Sequence, residues 1–254
     1  ESMHIGVLGV FEKPYGSGHP KYKELYERIV SDIRVMSDVK VIRRWNHAHY
    51  EREFKTLQEI KCVNECRFVL IGSSTGGPTI LHTILKALPA DYPLPILIAQ
   101  HMSRDFIETF IEWLNEQCAL HVKKAEDGEK ISAGVVYIAP ASYHLTLKNN
   151  RIRLFEAEKS ELFVPSVSKL FSSISKQNAG EAVAILLSGM GDDGADAITK
   201  LKLYGGVTIA QNAETSVVFG MANEAIKKGG IEYILSPQGI AEFLLSIKIE
   251  KKDI

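Results

Sequence analysis

The sequence predicts a three-layer α/β/α fold: a mostly parallel, doubly wound (Rossmann-like) sheet with an antiparallel β-hairpin. Three observations lead there. From Glu65 onward, short β-branched runs alternate with helical stretches, the pattern of parallel strands joined by crossover helices. Most of those runs are apolar at nearly every position, as strands buried on both faces are. One pair, Asn149-Asn150, separates two further strand-like runs, and asparagine tolerates the positive φ of a tight hairpin turn.

The elements follow in order. Ile5 to Phe11 is apolar and stops at Lys13-Pro14, where proline ends a strand ladder. Tyr22 to Met36 carries Leu25, Ile29, Ile33 and Met36 on a helical stripe. Ser37 to Glu65 is charged and mixed, with Val39, Val41, Ile42 and Trp45 as its apolar content and one helix near Tyr50 to Ile60. The expected strands are Phe68 to Ile71, Pro95 to Ala99, Val135 to Ile138, Val183 to Leu187, Val207 to Ala210 and Tyr233 to Leu235. Helices are expected at Thr79 to Leu88, Asp105 to Gln117, Val167 to Ser175, Asp196 to Tyr204, Ala222 to Lys228 and Pro237 to Ile247. His144 to Leu147 and Arg151 to Phe155 form the hairpin. The division is residues 1–36, a linker at 37–64, and a main domain at 65–254.

Composition narrows the function. A formal net charge of -1 with 45% hydrophobic residues removes the electrostatic case for nucleic acid or an anionic membrane as partner. No apolar run approaches the roughly 18 to 20 residues of a membrane span, and the N-terminus lacks a signal-peptide order, so the expected compartment is the cytoplasm. Cys62, Cys66 and Cys118 are too few for a disulfide framework. Cys62 and Cys66 fit one helix face or half a zinc site, but no second ligand pair accompanies them; His47 and His49 read as solvated. Neither a metal nor a cofactor is expected.

In open parallel sheets, ligand sites form beyond the carboxyl ends of the strands. Three such ends are polar. Ile71 to Pro78 reads as strand, tight turn, helix, with Ser74 at the centre of Gly-x-Ser-x-Gly, a pattern that exposes a nucleophilic serine in other hydrolases. Gln100-His101-Met102 follows the second run, and Ser188 to Gly194 is a glycine-rich turn carrying Asp192 and Asp193. A serine hydroxyl needs a base and a group that orients the base. Ser74, His101 and Asp193 supply those roles in an order that differs from the Ser, Asp, His order of α/β-hydrolases. Backbone N–H groups after Ser74 and around Met190 are candidates to hold an oxyanion.

Read singly, each residue has a plainer role: Ser74 as a helix cap, His101 as a structural hydrogen-bonding residue, Asp192 and Asp193 as caps. Their convergence on one sheet edge, each filling a different role, favours a catalytic site. Gly72 to Gly77 has the spacing of a phosphate loop, but Pro78 stands where lysine is required. Gly189 to Gly194 matches a dinucleotide fingerprint by letters, with Glu214 as its acidic residue, which keeps nucleotide binding as a rival.

These segments resemble the chemotaxis-type protein-glutamate methylesterases, the CheB family. The resemblance rests on Ile71 to Pro78, Gln100 to Met102, Ala125 to Gly128, Tyr137 to Pro140, Ser188 to Gly194, and Thr208 to Gln211 through Val217 to Met221. It implies Ser74 as nucleophile, His101 as base, Asp193 as orienting carboxylate, Met190 at an oxyanion-hole position and Thr75 lining the site. It further implies hydrolysis of γ-glutamyl methyl esters on the cytoplasmic helices of methyl-accepting chemoreceptors, deamidation of receptor glutamines in some members, and no cofactor. By the same resemblance, residues 1–36 are similar to the end of a phosphorylatable receiver domain, the family's regulatory partner. Two stretches depart from the pattern. Leu162 to Ser168 lacks the basic, histidine-containing lead-in to Pro-Ser-Val and the aspartate after it, and Ala222-Asn223 replaces a Pro-Arg pair. A non-catalytic module of the same fold, docking a receptor or partner, is the rival from another class; a serine-reactive fluorophosphonate distinguishes them.

Overall fold

The computed structural model describes residues 66–247 apart from 159, 160 and 162, together with Tyr22, Tyr26 and Val30. The chain divides into two compact units, Glu1–His49 and Tyr50–Ile254. In the first, Tyr22, Tyr26 and Val30 are helical, and the two tyrosine rings stack with centroids 5.9 Å apart. The strand expected at Ile5 to Phe11, the helix near Tyr50 to Ile60, and His47, His49, Cys62 and Leu162 lie outside the described residues.

In the second unit, the apolar runs form β1 (Phe68–Ser73), β2 (Ile96–Gln100), β4 (Val135–Ile138), β7 (Ala182–Leu186), β8 (Val207–Gln211) and β9 (Tyr233–Leu235), joined by β3 (His121–Lys124). Among the described residues they make one seven-stranded sheet, ordered β3-β4-β2-β1-β7-β8-β9, with every neighbouring pair parallel. The chain leaves β1 toward β2 on one side and leaves β7 toward β8 on the other. The switch point therefore falls between β1 and β7, where the carboxyl ends open a crevice.

Alternation of side chains along the strands separates two cores. Val69 and Ile71 of β1, with Ile96, Ile98, Val183 and Ile185, face α1 (Gly77–Lys86), α2 (Arg104–Gln117) and α6 (Pro237–Ser246). Phe68 and Leu70, with Leu97, Ala184 and Leu186, face α3 (Val167–Ser172), α4 (Ala195–Leu203) and α5 (Met221–Lys227). Leu70, Ile71, Leu81 and Ile84 are fully buried, and each such side chain stabilises the fold by about 1.5–3 kcal/mol relative to exposure.

The hairpin forms as expected. β5 (Tyr143–Lys148) and β6 (Arg151–Glu156) pair antiparallel across Asn149 and Asn150, whose φ angles are 52° and 56°. It is a separate two-stranded sheet rather than an extension of the large one.

Some boundaries differ from the sequence reading, each for a local reason. β3 is unanticipated because only Val122 of its four residues is buried; as an edge strand it leaves His121 and Lys124 exposed, with Lys123 half-buried against Glu126 and Glu129. Pro95 stays outside β2, having no N–H to pair, while its carbonyl accepts from Val69 N–H at 3.0 Å. The helix expected to reach Ser175 ends at Ser172. There the Ser173 hydroxyl donates to the Leu170 carbonyl at 2.6 Å and accepts from Leu147 N–H at 3.0 Å, tying the helix end to the hairpin.

Candidate active site

The serine turn is built by three strands. Ser74 directly follows β1, and its N–H donates to the Ser188 carbonyl past β7 at 3.0 Å. Its own carbonyl accepts from Gly77 N–H and from Gln100 Nε2, each at 2.9 Å. Gln100 Nε2 also donates to the His101 carbonyl at 2.9 Å, and His101 N–H donates to the Ser73 carbonyl at 2.9 Å. One buried amide thus fixes the backbones of both the serine and the histidine. The N-cap of α1 is Gly76, in the left-handed region at φ 82°, with no side-chain cap bond, so Ser74 does not cap that helix.

From the β7 side, the buried Ser188 hydroxyl donates to the Thr75 carbonyl at 2.7 Å and accepts from Val218 N–H at 3.0 Å. Gly189 comes so close that a Cβ there would lie 2.7 Å from Ser74 Cβ and 2.3 Å from Met221 Sδ. Only glycine permits that approach. In the same loop Gly189 N–H donates to Val218 and Gly194 N–H donates to the Ser168 hydroxyl. The loop that matched a dinucleotide fingerprint is therefore packed against the serine.

Asp193 receives four donors. His101 Nε2 lies 2.9 Å from Oδ2, which also accepts Val167 N–H at 2.7 Å; Oδ1 accepts Ser168 N–H at 2.9 Å and the Ser166 hydroxyl at 3.2 Å. The N-cap of α4 is Gly194 with no side-chain cap bond, so Asp193 does not cap its own helix; it sits instead at the start of α3. Burial pushes its carboxyl up, but hydrogen bonds from His101 and Ser168 and the charge of His101 outweigh it and lower the pKa to about 2. Asp192 is exposed.

The imidazole of His101 is 13% exposed and stacks on the Phe163 ring, with centroids 5.2 Å apart and planes 13° apart. Because Nε2 faces the carboxylate, Nδ1 is the nitrogen left for a proton acceptor role, the reverse of the serine-protease template. Among the described residues Ser74 Oγ makes no hydrogen bond, to His101 or elsewhere. Catalytic hydrogen bonds are commonly long until substrate is bound. The N–H groups of Thr75 and Met190 donate to no acceptor among the described residues, and the Met190 side chain is exposed.

Gln100, Ser166, Ser168, Ser188 and Phe163 were not singled out as site residues from sequence. Gln100 carried a signal, since it is the polar residue that ends an apolar strand one position before His101. The others act through contacts across the fold, the serines by their hydroxyls and Phe163 by its ring, which no local pattern encodes.

A doubly wound parallel sheet, with a serine at the switch point and a carboxylate-bound histidine beside it, has the parts of a serine-type hydrolase on a Rossmann-like scaffold. The CheB methylesterase family profile matches residues 69–244. Protein-glutamate methylesterase/protein-glutamine glutaminase 4 of Geobacter metallireducens is 38% identical over 253 residues, covering 98% of this chain and 73% of its own. The corresponding protein numbered 3 of Hahella chejuensis is 39% identical over 255 residues, covering 98% and 72%. The crystal structure of the Thermotoga maritima CheB methylesterase catalytic domain matches with a TM-score of 0.66 at 38% identity, covering 71% of this chain and 97% of that one. The chain belongs to the CheB methylesterase family.

Proposed function

We propose that the protein hydrolyses γ-glutamyl methyl esters on the cytoplasmic helices of methyl-accepting chemoreceptors, in chemotaxis adaptation. Ser74 is the nucleophile, His101 the base and Asp193 the carboxylate that orients it. The observation that carries this reading is the 2.9 Å contact between His101 Nε2 and Asp193 Oδ2 beside the switch-point serine. With its Nε2 proton held by Asp193, His101 offers Nδ1 to take the proton of Ser74 Oγ as that oxygen attacks the ester carbonyl. The tetrahedral oxyanion is met by backbone N–H groups of Met190 and Thr75. Collapse breaks the bond to the methoxy oxygen, which leaves as methanol with the proton from His101. Water then attacks the acyl-serine by the same route and releases the glutamate carboxylate.

The same steps applied to a glutamine side chain release ammonia, so deamidation belongs to the reading; the names of the relatives from Geobacter and Hahella carry both activities. No step calls on a metal or nucleotide. The domain division is proposed likewise: residues 1–36 the end of a receiver domain, 37–64 a linker and 65–254 the catalytic domain, with a phosphorylatable receiver as regulatory partner. The match of the relatives over 98% of the chain supports it. A cytoplasmic location accords with a receptor substrate of that kind; no described helix is long and apolar enough to cross a membrane.

The test is incubation with a methylated receptor cytoplasmic fragment followed by mass spectrometry of its methylation-site peptides. Loss of the methyl group to leave glutamate is expected; unchanged methyl esters, with the enzyme also unlabelled by a fluorophosphonate, would favour the non-catalytic module.

A further inference from the structure

His144, in the hairpin strand β5, is fully buried and takes no part in the steps above. Both its ring nitrogens are engaged. Nδ1 accepts the backbone N–H of Ser166 at 3.0 Å, so Nδ1 carries no proton, and Nε2 lies 2.6 Å from Glu161 Oε2. Lys169 and His144 together hold the Glu161 carboxyl well below the ordinary range, to about 2. Ser166 is where this arrangement meets the catalytic site. Its hydroxyl donates to Asp193, and the next two N–H groups, of Val167 and Ser168, donate to the same carboxylate. Three of the four donors to Asp193 thus lie on Ser166–Ser168, and the N–H that leads into that segment is fixed by His144.

We propose that His144 is a positioning residue for the His101–Asp193 pair, acting through the backbone of Ser166. The role rests on the hydrolase reading. An apolar side chain at this site leaves the Ser166 N–H buried without an acceptor, and the segment shifts to find one. Asp193 then moves with its donors, and the imidazole it orients moves with Asp193. Val167 has little freedom to compensate, because its Cγ1 fills the space that a Cβ on Gly72 would occupy, at 2.2 Å.

The two nitrogens can be tested separately. In His144→Asn the amide oxygen takes the place of Nδ1 and keeps the acceptor for Ser166, while contact with Glu161 is lost. In His144→Gln the amide nitrogen takes the place of Nε2 and keeps the contact with Glu161, while the acceptor is lost. For ester hydrolysis, His144→Gln and His144→Leu are expected to lower kcat between about 10- and 100-fold with KM unchanged, the scale of a displacement of about 1 Å at reacting groups. His144→Asn is expected to keep kcat within about threefold of wild type. A fully active His144→Leu, or equal losses in Asn and Gln, would overturn the role. Wild-type turnover measured in parallel separates the two claims: an inactive wild type overturns the hydrolase reading, and an active wild type beside an active His144→Leu overturns this role alone. Should a variant fail to fold, long-range proton–nitrogen correlation spectra of the wild type decide: His144 unprotonated at Nδ1 and protonated at Nε2 is expected, and the opposite tautomer contradicts the proposal.

Discussion

His101 Nε2 and Asp193 Oδ2 lie 2.9 Å apart, although the two residues follow strands that do not touch: β2 and β7 flank β1 on opposite sides. The contact therefore spans the carboxyl end of β1, where Ser74 sits. Asp193→Asn keeps the shape but replaces an acceptor with a donor facing the imidazole, which disfavours the tautomer that leaves Nδ1 free. A kcat loss of roughly 100- to 10,000-fold is expected, with KM little changed, by analogy with triads whose carboxylate was so replaced. Steady-state kinetics on a methylated receptor fragment checks it.

The same carboxylate makes stability depend on pH. Its folded pKa of about 2 lies below the ordinary 3.8, so the stabilisation is fully present above pH 4 and is lost as pH falls through about 2. The difference amounts to roughly 2 kcal/mol. Denaturant melts of wild type and Asp193→Asn between pH 5 and pH 2 are expected to converge toward the acid end by that amount (about 1.4 kcal/mol per pKa unit). Parallel curves would place the shift elsewhere.

Gln100 anchors two carbonyls, those of Ser74 and His101, through one amide nitrogen. Gln100→Met keeps the length and removes the donor. The expected cost is about 1–3 kcal/mol of stability from two buried carbonyls left without that partner. A fall in kcat beyond that of the unfolded fraction is also expected, measurable by thermal denaturation and kinetics on the same preparation.

Gly189→Ala tests the close approach of the β7 loop to the serine. The added methyl would overlap Met221 Sδ and Ser74 Cβ, so the loop must retreat, taking the Met190 N–H with it. Overpacking of this kind costs about 1–3 kcal/mol, and the fall in kcat is expected to exceed what the stability loss explains.

Much of this was legible in the sequence, and the reason is physical. β1, β2 and β7 read correctly because buried parallel strands are apolar at every position, and Ser74, His101 and Asp193 were picked out because each follows the carboxyl end of such a run. Asn149-Asn150 revealed the hairpin by the backbone conformation that it requires. What was hidden is what depends on contact across the fold. The acidic pair at 192–193 looked like a cap for the helix that follows it, whereas Asp193 sits at the start of α3, far earlier in the chain. His144 looked like an ordinary strand residue, and nothing local announces that its Nδ1 meets Ser166. The edge strand β3 escaped because its lysines mask the one buried valine.

The central claim is that Ser74 attacks a glutamyl methyl ester with His101 as base. Methanol release from a methylated receptor fragment, measured side by side for wild type and Ser74→Ala, tests it most directly. The account predicts turnover by the wild type and none above the uncatalysed background for a Ser74→Ala protein with an unchanged melting temperature. Full methanol release by Ser74→Ala would contradict it.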